Sequence, residues 1–180
     1  MRQNGQRSKV RHDLVALTIA AAAAAISITA NADIFAKIGD IKGESSDDKH
    51  KDQISVLSWS WGVTGPQRKT PACPHEFTIN KFVDAATPFL VSAAAQGATF
   101  PEAVIAINKP GKDPTDYLVW TFKGVVIAGI TSAGVNNAAA ISESLSFNYA
   151  SATIAYRMQQ PDGSYGAAVT ATVGPSCPSP

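Results

Sequence analysis

The sequence predicts a mainly β domain, an antiparallel sandwich or barrel carrying one short helix, and three observations lead there. Apolar and polar residues alternate along most of the chain: Leu145, Phe147 and Tyr149 interleave with Ser144, Ser146 and Asn148. That period of two turns one apolar face of an extended strand toward a core. Turn chemistry separates the alternating runs, with Pro110-Gly111 inside 109–114 and Pro161-Asp162-Gly163 inside 160–163. A helix signal occurs once, over about 88–96. The chain of 180 residues is 45% hydrophobic and 16% charged, and none of its 14 aromatics precedes residue 33. Such a composition builds one core, in one domain with an appendage.

The appendage comes first. Arg2, Arg7, Lys9 and Arg11 are followed by an uncharged run of 17 residues from Leu14 to Ala30, and Ala30-Asn31-Ala32 puts small residues at −3 and −1 of a cut before Asp33. A basic start, an apolar middle and an A-x-A site make a secretory signal peptide over 1–32. An uncleaved anchor is the other reading, but the run sits at the lower edge of the roughly 17–25 residues that span a bilayer, and alanine is a weak hydrophobe. We expect cleavage at Ala32/Asp33. The leader removes four cations and Asp13, so the overall +1 becomes −2 on a 148-residue domain at 33–180. The expected location is the periplasm or beyond. Neither charge balance gives a field that would hold nucleic acid or, once the leader is gone, a membrane.

Strands are expected at 34–38 and 53–63. In the second run the apolar face switches parity between Val56 and Leu57, where a bulge would let Leu57, Trp59 and Trp61 share a face with the preceding pair. A strand at 77–80 precedes the helix, for which Thr87 is the N-cap, Pro88 is N1, Phe89, Leu90, Val91 and Ala93 to Ala95 supply the apolar face, and Gly97 is C′. Further strands follow at 103–107, 117–122, 125–131, 145–149, 153–158 and 165–173, before a Pro-rich tail. The small-residue run 129–140 reads as a loop.

Both cysteines, Cys73 and Cys177, fall in the exported part beside prolines. In an oxidising compartment an even pair favours a disulfide, here closing about a hundred residues and stabilising by about 4–5 kcal/mol in the chain-entropy model. His50 and His75 do not complete a metal set with them.

The densest polar cluster runs from Glu44 to Asp52. A Ser45, His50 and Asp52 triad is conceivable, but no G-x-S-x-G turn holds the serine, and adjacent alternating charges read as a solvated loop. Its spacing departs from the calcium loop, and the P-loop, H-E-x-x-H, C-x-x-C and G-x-G-x-x-G motifs are absent. No enzyme activity, cofactor or metal is expected. Trp59 and Trp61, with serines between them, suit a glycan-stacking face or a core; an alternating strand buries its apolar side, which favours the core.

The run Asp33-Ile-Phe-Ala-Lys-Ile-Gly-Asp-Ile-Lys-Gly-Glu and its continuation to Leu57-Ser-Trp-Ser-Trp-Gly62 resemble the opening of the haemolysin-coregulated proteins, the tube subunits of type VI secretion systems. The resemblance extends through 77–88, 117–126 and 143–150. It implies a compact β-barrel of two sheets with one flanking helix, six copies closing into a ring, and rings stacking into a tube that carries spike and effector proteins. It implies no catalytic residue and no cofactor. The 43–52 loop is kept, which makes Glu44, Ser45, Asp47, Asp48, Lys49, His50, Lys51 and Asp52 the candidate subunit-contact residues. Two features depart from the family: the leader, and the connection 64–75, which is short and stiffened by Pro66, Pro71 and Pro74 where the family has a longer Gly-rich loop. The second reading is an exported binding module that reuses the barrel without forming a tube.

Overall fold

A computed structural model describes residues 32–66, 72–109 and 115–177. The expected leader, except Ala32, and the turn at 110–114 lie outside the described residues. In chain order the elements are β1 (Asp33–Ile38), β2 (Ile54–Val56), β3 (Ser58–Ser60), β4 (Val63–Thr64), β5 (Cys73–Pro74), β6 (Phe77–Phe82), α1 (Thr87–Gln96), β7 (Thr99–Lys109), β8 (Thr115–Ala133), β9 (Ser142–Asn148), β10 (Ser151–Tyr156) and β11 (Val169–Val173).

One strand organises the rest. The 19-residue β8 merges the two expected strands at 117–122 and 125–131, and takes up part of the expected small-residue loop as well. Along one edge it pairs antiparallel with β7, from Thr115↔Lys109 to Val126↔Thr99. Its other edge pairs with β9 over Val126 to Ala133 and with β10 over Leu118 to Lys123. Small residues such as Gly129, Ser132 and Ala133 enter the strand because β9 supplies ladder partners, a tertiary cause invisible to local propensity.

The resulting sheet has nine strands in the path β2-β1-β7-β8-β9-β6-β3, with β10 on β8 and β11 on β10; β4 and β5 form a separate ribbon. The expected barrel of two sheets is therefore corrected: a single curled sheet wraps the core, and no ladder joins its ends β2 and β3. Those ends are consecutive in sequence, linked by Leu57, whose N–H donates to Asn80 O at 2.7 Å. The expected bulge is a corner, where the chain leaves its pairing with β1 and starts pairing with β6. Leu57 therefore points outward, half exposed, while Trp59 and Trp61 pack against the core.

Alternation holds where it was clearest. On β6 Phe77, Ile79 and Lys81 face inward, and on β9 Glu143, Leu145 and Phe147 do. Phe77, Trp120, Phe122 and Phe147 meet at ring separations of 4.8 to 5.9 Å, pairs worth about 0.5–1.5 kcal/mol each beyond their area burial. Helix α1 covers this core with Leu90 and Ala93. Its N-cap is Ala86, not the expected Thr87, whose hydroxyl is used elsewhere; Pro88 still lies in the first turn, and Gly97 ends the helix at φ 60° with Ala98 N–H reaching Ala93 O.

Candidate functional site

The loop 43–52 is more ordered than a run of charges suggests. Gly43 N–H donates to Asp52 O (2.8 Å), Ser45 N–H to Gln53 O (3.0 Å) and Asp52 N–H to Ser45 O (2.9 Å). The approach at Gly43 leaves no room for a side chain, since a Cβ there would sit 2.5 Å from Gln53 O. His50 is buried and stacks on Phe35 with ring centroids 4.4 Å apart. Its Nε2 lies 2.9 Å from Asp116 Oδ1 and its Nδ1 3.2 Å from Gln53 Oε1. Asp47 Oδ1 accepts the N–H groups of Lys49 and His50, and Glu44 Oε1 accepts Ala85 N–H at 3.0 Å.

This geometry corrects the reading of a merely solvated loop: Ser45 and His50 are inside, and anchoring leaves Asp48, Lys49, Lys51 and Asp52 facing outward on a fixed frame. It also disposes of the triad. Both ring nitrogens of His50 are engaged by Asp116 and Gln53, Asp52 pairs with Lys42 at 3.4 Å, and Ser45 Oγ accepts Asp47 N–H. His50 has no nitrogen left to act as a base toward Ser45. Gly43→Ala is expected to destabilise by about 1–3 kcal/mol through the backbone clash. Hydrogen exchange should localise the loss to 43–53; unchanged protection there would contradict the anchored loop.

A second locus fastens the C-terminal segment. Cys73 and Cys177 are joined as a disulfide, Cα–Cα 5.7 Å, across a sequence separation of 104. Cys177 N–H donates to Pro74 O at 2.8 Å, and Ser176 exchanges hydrogen bonds with Tyr149 through its own N–H (3.0 Å) and through Tyr149 N–H to its Oγ (3.0 Å). Beneath this strap Trp61 Nε1–H donates to Tyr149 Oη at 2.6 Å, and that hydroxyl donates to His75 O at 2.9 Å. Trp59 and Trp61 both pack on Trp120 at 6.0 and 4.7 Å. Both indoles are partly buried and pack against the core.

Burial pushes the Tyr149 phenol above its ordinary value, partly offset by the Trp61 hydrogen bond. The folded state thus favours the neutral phenol. That stability is fully present below the free-tyrosine value of about 10 and falls as pH rises through the higher folded-state value. Tyr149→Phe should flatten the alkaline limb of a stability–pH curve, measured by urea unfolding; an unchanged limb would assign it to other groups.

The sequence reading missed a third locus. Lys81 Nζ, fully buried, donates to Glu143 Oε1 (2.5 Å), Asp84 Oδ1 (2.7 Å), Phe82 O (2.8 Å) and Thr87 Oγ1 (3.3 Å). Thr87 in turn donates to Glu143 Oε1 at 2.7 Å. Lys81 and Glu143 face one another in the β6–β9 register. The available signal was parity: both charges fall on the inward positions of adjoining alternating strands.

The surface around α1 is apolar. No residue of Thr87–Gln96 is charged, and its outward side shows Phe89, 65% exposed, and Val91, 46% exposed. Beside it runs an open groove of about 530 Å³ lined by Ile41, Lys42, Ala85, Phe89, Phe100 and Pro101. The helix thus exposes apolar side chains beside the polar Ser92 and Gln96 and carries no titratable group of its own. Among the described residues no group of three His, Cys, Asp or Glu side chains could hold a metal, and no helix is long and apolar enough to cross a membrane.

Residues 35–156 match the family described as type VI secretion system effector, Hcp. Protein hcp1 of Pseudomonas aeruginosa is 32% identical over 140 residues, covering 73% of this chain and 86% of the relative. The crystal structure of Hcp1 from Salmonella typhimurium superposes with a TM-score of 0.69 at 30% identity, over 79% of this chain and 94% of that one. A type VI secretion system effector from Yersinia pestis gives 0.66 at 30% identity, over 79% and 99%. With most of its length matched in sequence and in fold, the chain belongs to the Hcp family of type VI secretion effectors.

Proposed function

We propose that this protein is a non-catalytic structural subunit, exported after cleavage at Ala32/Asp33, that closes into a homo-hexameric ring and works through contacts with copies of itself and with spike or effector proteins. The observation that carries the reading is the charge-free outward face of α1 beside an open apolar groove. Exposed apolar surface of this kind marks a protein contact, and in an Hcp family member a further copy of the chain is the partner at hand. Edges add to it: β11 pairs with β10 alone among the described strands, so its other side presents unpaired backbone groups. A closed ring covers such edges. The 43–52 loop supplies a preformed contact, since its outward charges are held on an anchored frame and lose little freedom on docking. The bridge between Cys73 and Cys177 tethers the C-terminal segment to the β4–β5 ribbon.

Expression of the whole chain in a Gram-negative host, followed by N-terminal sequencing and negative-stain electron microscopy of the periplasmic fraction, tests the proposal. We expect a chain beginning at Asp33 and six-fold rings. Protomer-sized particles at high concentration would overturn the ring, and a cytoplasmic chain retaining Met1 would overturn the export route.

A further inference from the structure

The C-terminal strap lies outside the strand ladders. β11 follows β10 antiparallel as far as Val173↔Ala152, and 174–177 carry on past the β9–β10 turn until Ser176 lies beside Tyr149. Gly174 and Pro175 are exposed. Ser176 is bonded through its N–H to Tyr149 O, through its Oγ to Tyr149 N–H, and through the same hydroxyl to Asn148 Oδ1 at 2.9 Å. Cys177 N–H reaches Pro74 O. The other end of the bridge is as lightly held. Cys73 lies in the β4–β5 ribbon, which among the described residues forms a sheet of its own. His75 N–H on Gly62 O and the contact of Thr64 Oγ1 with His75 Nε2 at 2.8 Å close that ribbon. Cys73 and Cys177 are both partly exposed, whereas Tyr149 beside the strap is 4% exposed.

We infer that the Cys73–Cys177 bridge is a redox latch: opened by a dithiol, it frees 174–177 from Tyr149 and uncovers the Trp61–Tyr149 pair while the nine-stranded sheet stays folded. The contacts that opening breaks all lie at the periphery, between a short ribbon and a strap that belongs to no strand. The net gain from a hydrogen bond is no larger than the backbone entropy lost per ordered residue, so without the tether these bonds leave the strap mostly open. The chemistry is thiol–disulfide exchange. A thiolate of the dithiol attacks one protein sulfur, the S–S bond breaks, and the departing sulfur takes a proton. The dithiol's second sulfur then displaces the first from the protein. The chain gains two electrons and two protons, and the dithiol leaves as a cyclic disulfide. A disulfide oxidant runs the sequence in reverse. In an exported chain the latch closes on passing from a reducing to an oxidising compartment; that timing rests on the export reading, and the latch itself does not.

The test is hydrogen exchange, followed by nuclear magnetic resonance, on the purified full chain oxidised with glutathione disulfide and then reduced with dithiothreitol. We expect the amides of Tyr149, Ser176 and Cys177 to exchange at the shortest labelling time in the reduced protein alone. Those of Ile79 and Leu145, paired within the sheet, should stay protected in both states, and reoxidation should restore the strap. Burial holds the Tyr149 phenol above its ordinary value, so an ultraviolet titration should show one tyrosine moving down toward that value on reduction, a signal that Tyr149→Phe removes. Cys73→Ser with Cys177→Ser should show the open pattern in either buffer; if that variant misfolds, alkylating the reduced wild type with iodoacetamide traps the same state. Strap amides equally protected in both states would overturn the latch. So would loss of protection spreading to Ile79 and Leu145, or a bridge that dithiothreitol opens only in denaturant. A chain found in the cytoplasm would overturn the export reading and leave the latch standing.

Discussion

Lys81→Met is expected to destabilise the protein by about 3–5 kcal/mol, because it strands a carboxylate where water cannot reach. Glu143 is fully buried and receives its strongest contact from Lys81 Nζ at 2.5 Å; Thr87 and Ser132 hydroxyls remain, but neither carries charge. For a domain of this size each kcal/mol corresponds to roughly 2–4 °C, so the midpoint of thermal unfolding should fall by roughly 6–20 °C. The network also ties three elements together, since Lys81 is on β6, Glu143 on β9, and Asp84 and Thr87 lead into the helix. Its loss should therefore loosen the helix that presents the proposed contact face. The double variant Lys81→Met/Glu143→Leu should recover much of the loss, since burying a matched apolar pair avoids desolvating either charge. A double variant no more stable than the single would mean that the damage comes from shape rather than from the unpaired carboxylate.

Cys73→Ala with Cys177→Ala is expected to destabilise by about 4–5 kcal/mol, the chain-entropy value for a closed loop of about a hundred residues. The tether joins the β4–β5 ribbon to the end of the described chain, and the strap it holds lies over Tyr149, Trp61 and His75. Without it, Ser176 and Cys177 are held by hydrogen bonds to Tyr149, Asn148 and Pro74. Reductant should lower the wild-type unfolding midpoint to near that of the double variant and leave the variant itself unchanged. Tryptophan fluorescence should report exposure of Trp61 early in the reduced protein. Equal midpoints with and without reductant would show that the bridge adds nothing to stability.

What the sequence made legible follows the physics of each element. The inward faces of β6 and β9 could be read from period-two alternation alone, and the end of the helix from Gly97. Trp59 and Trp61 were read as core for the same reason, and the ring contacts with Trp120 agree. The sheet's closure was not legible, because it depends on whether β2 and β3 bond across Leu57, a contact between segments that alternation treats identically. β8 exceeded its expected length since Gly129 to Ala133 become strand through pairing with β9, not through their own preference. The anchored loop was hidden because the partner of His50 is Asp116, 66 residues away, whereas Asp52, the neighbour the local pattern suggested, turns outward to Lys42. Only the parity of Lys81 and Glu143 was a visible signal left unused.

Mass photometry of the chain from Asp33, across a hundred-fold range of concentration, tests the central claim most directly. We expect a dominant species of six protomers that persists on dilution and dissociates when Phe89 is replaced by glutamate. A single species at the protomer mass over the whole range would contradict it.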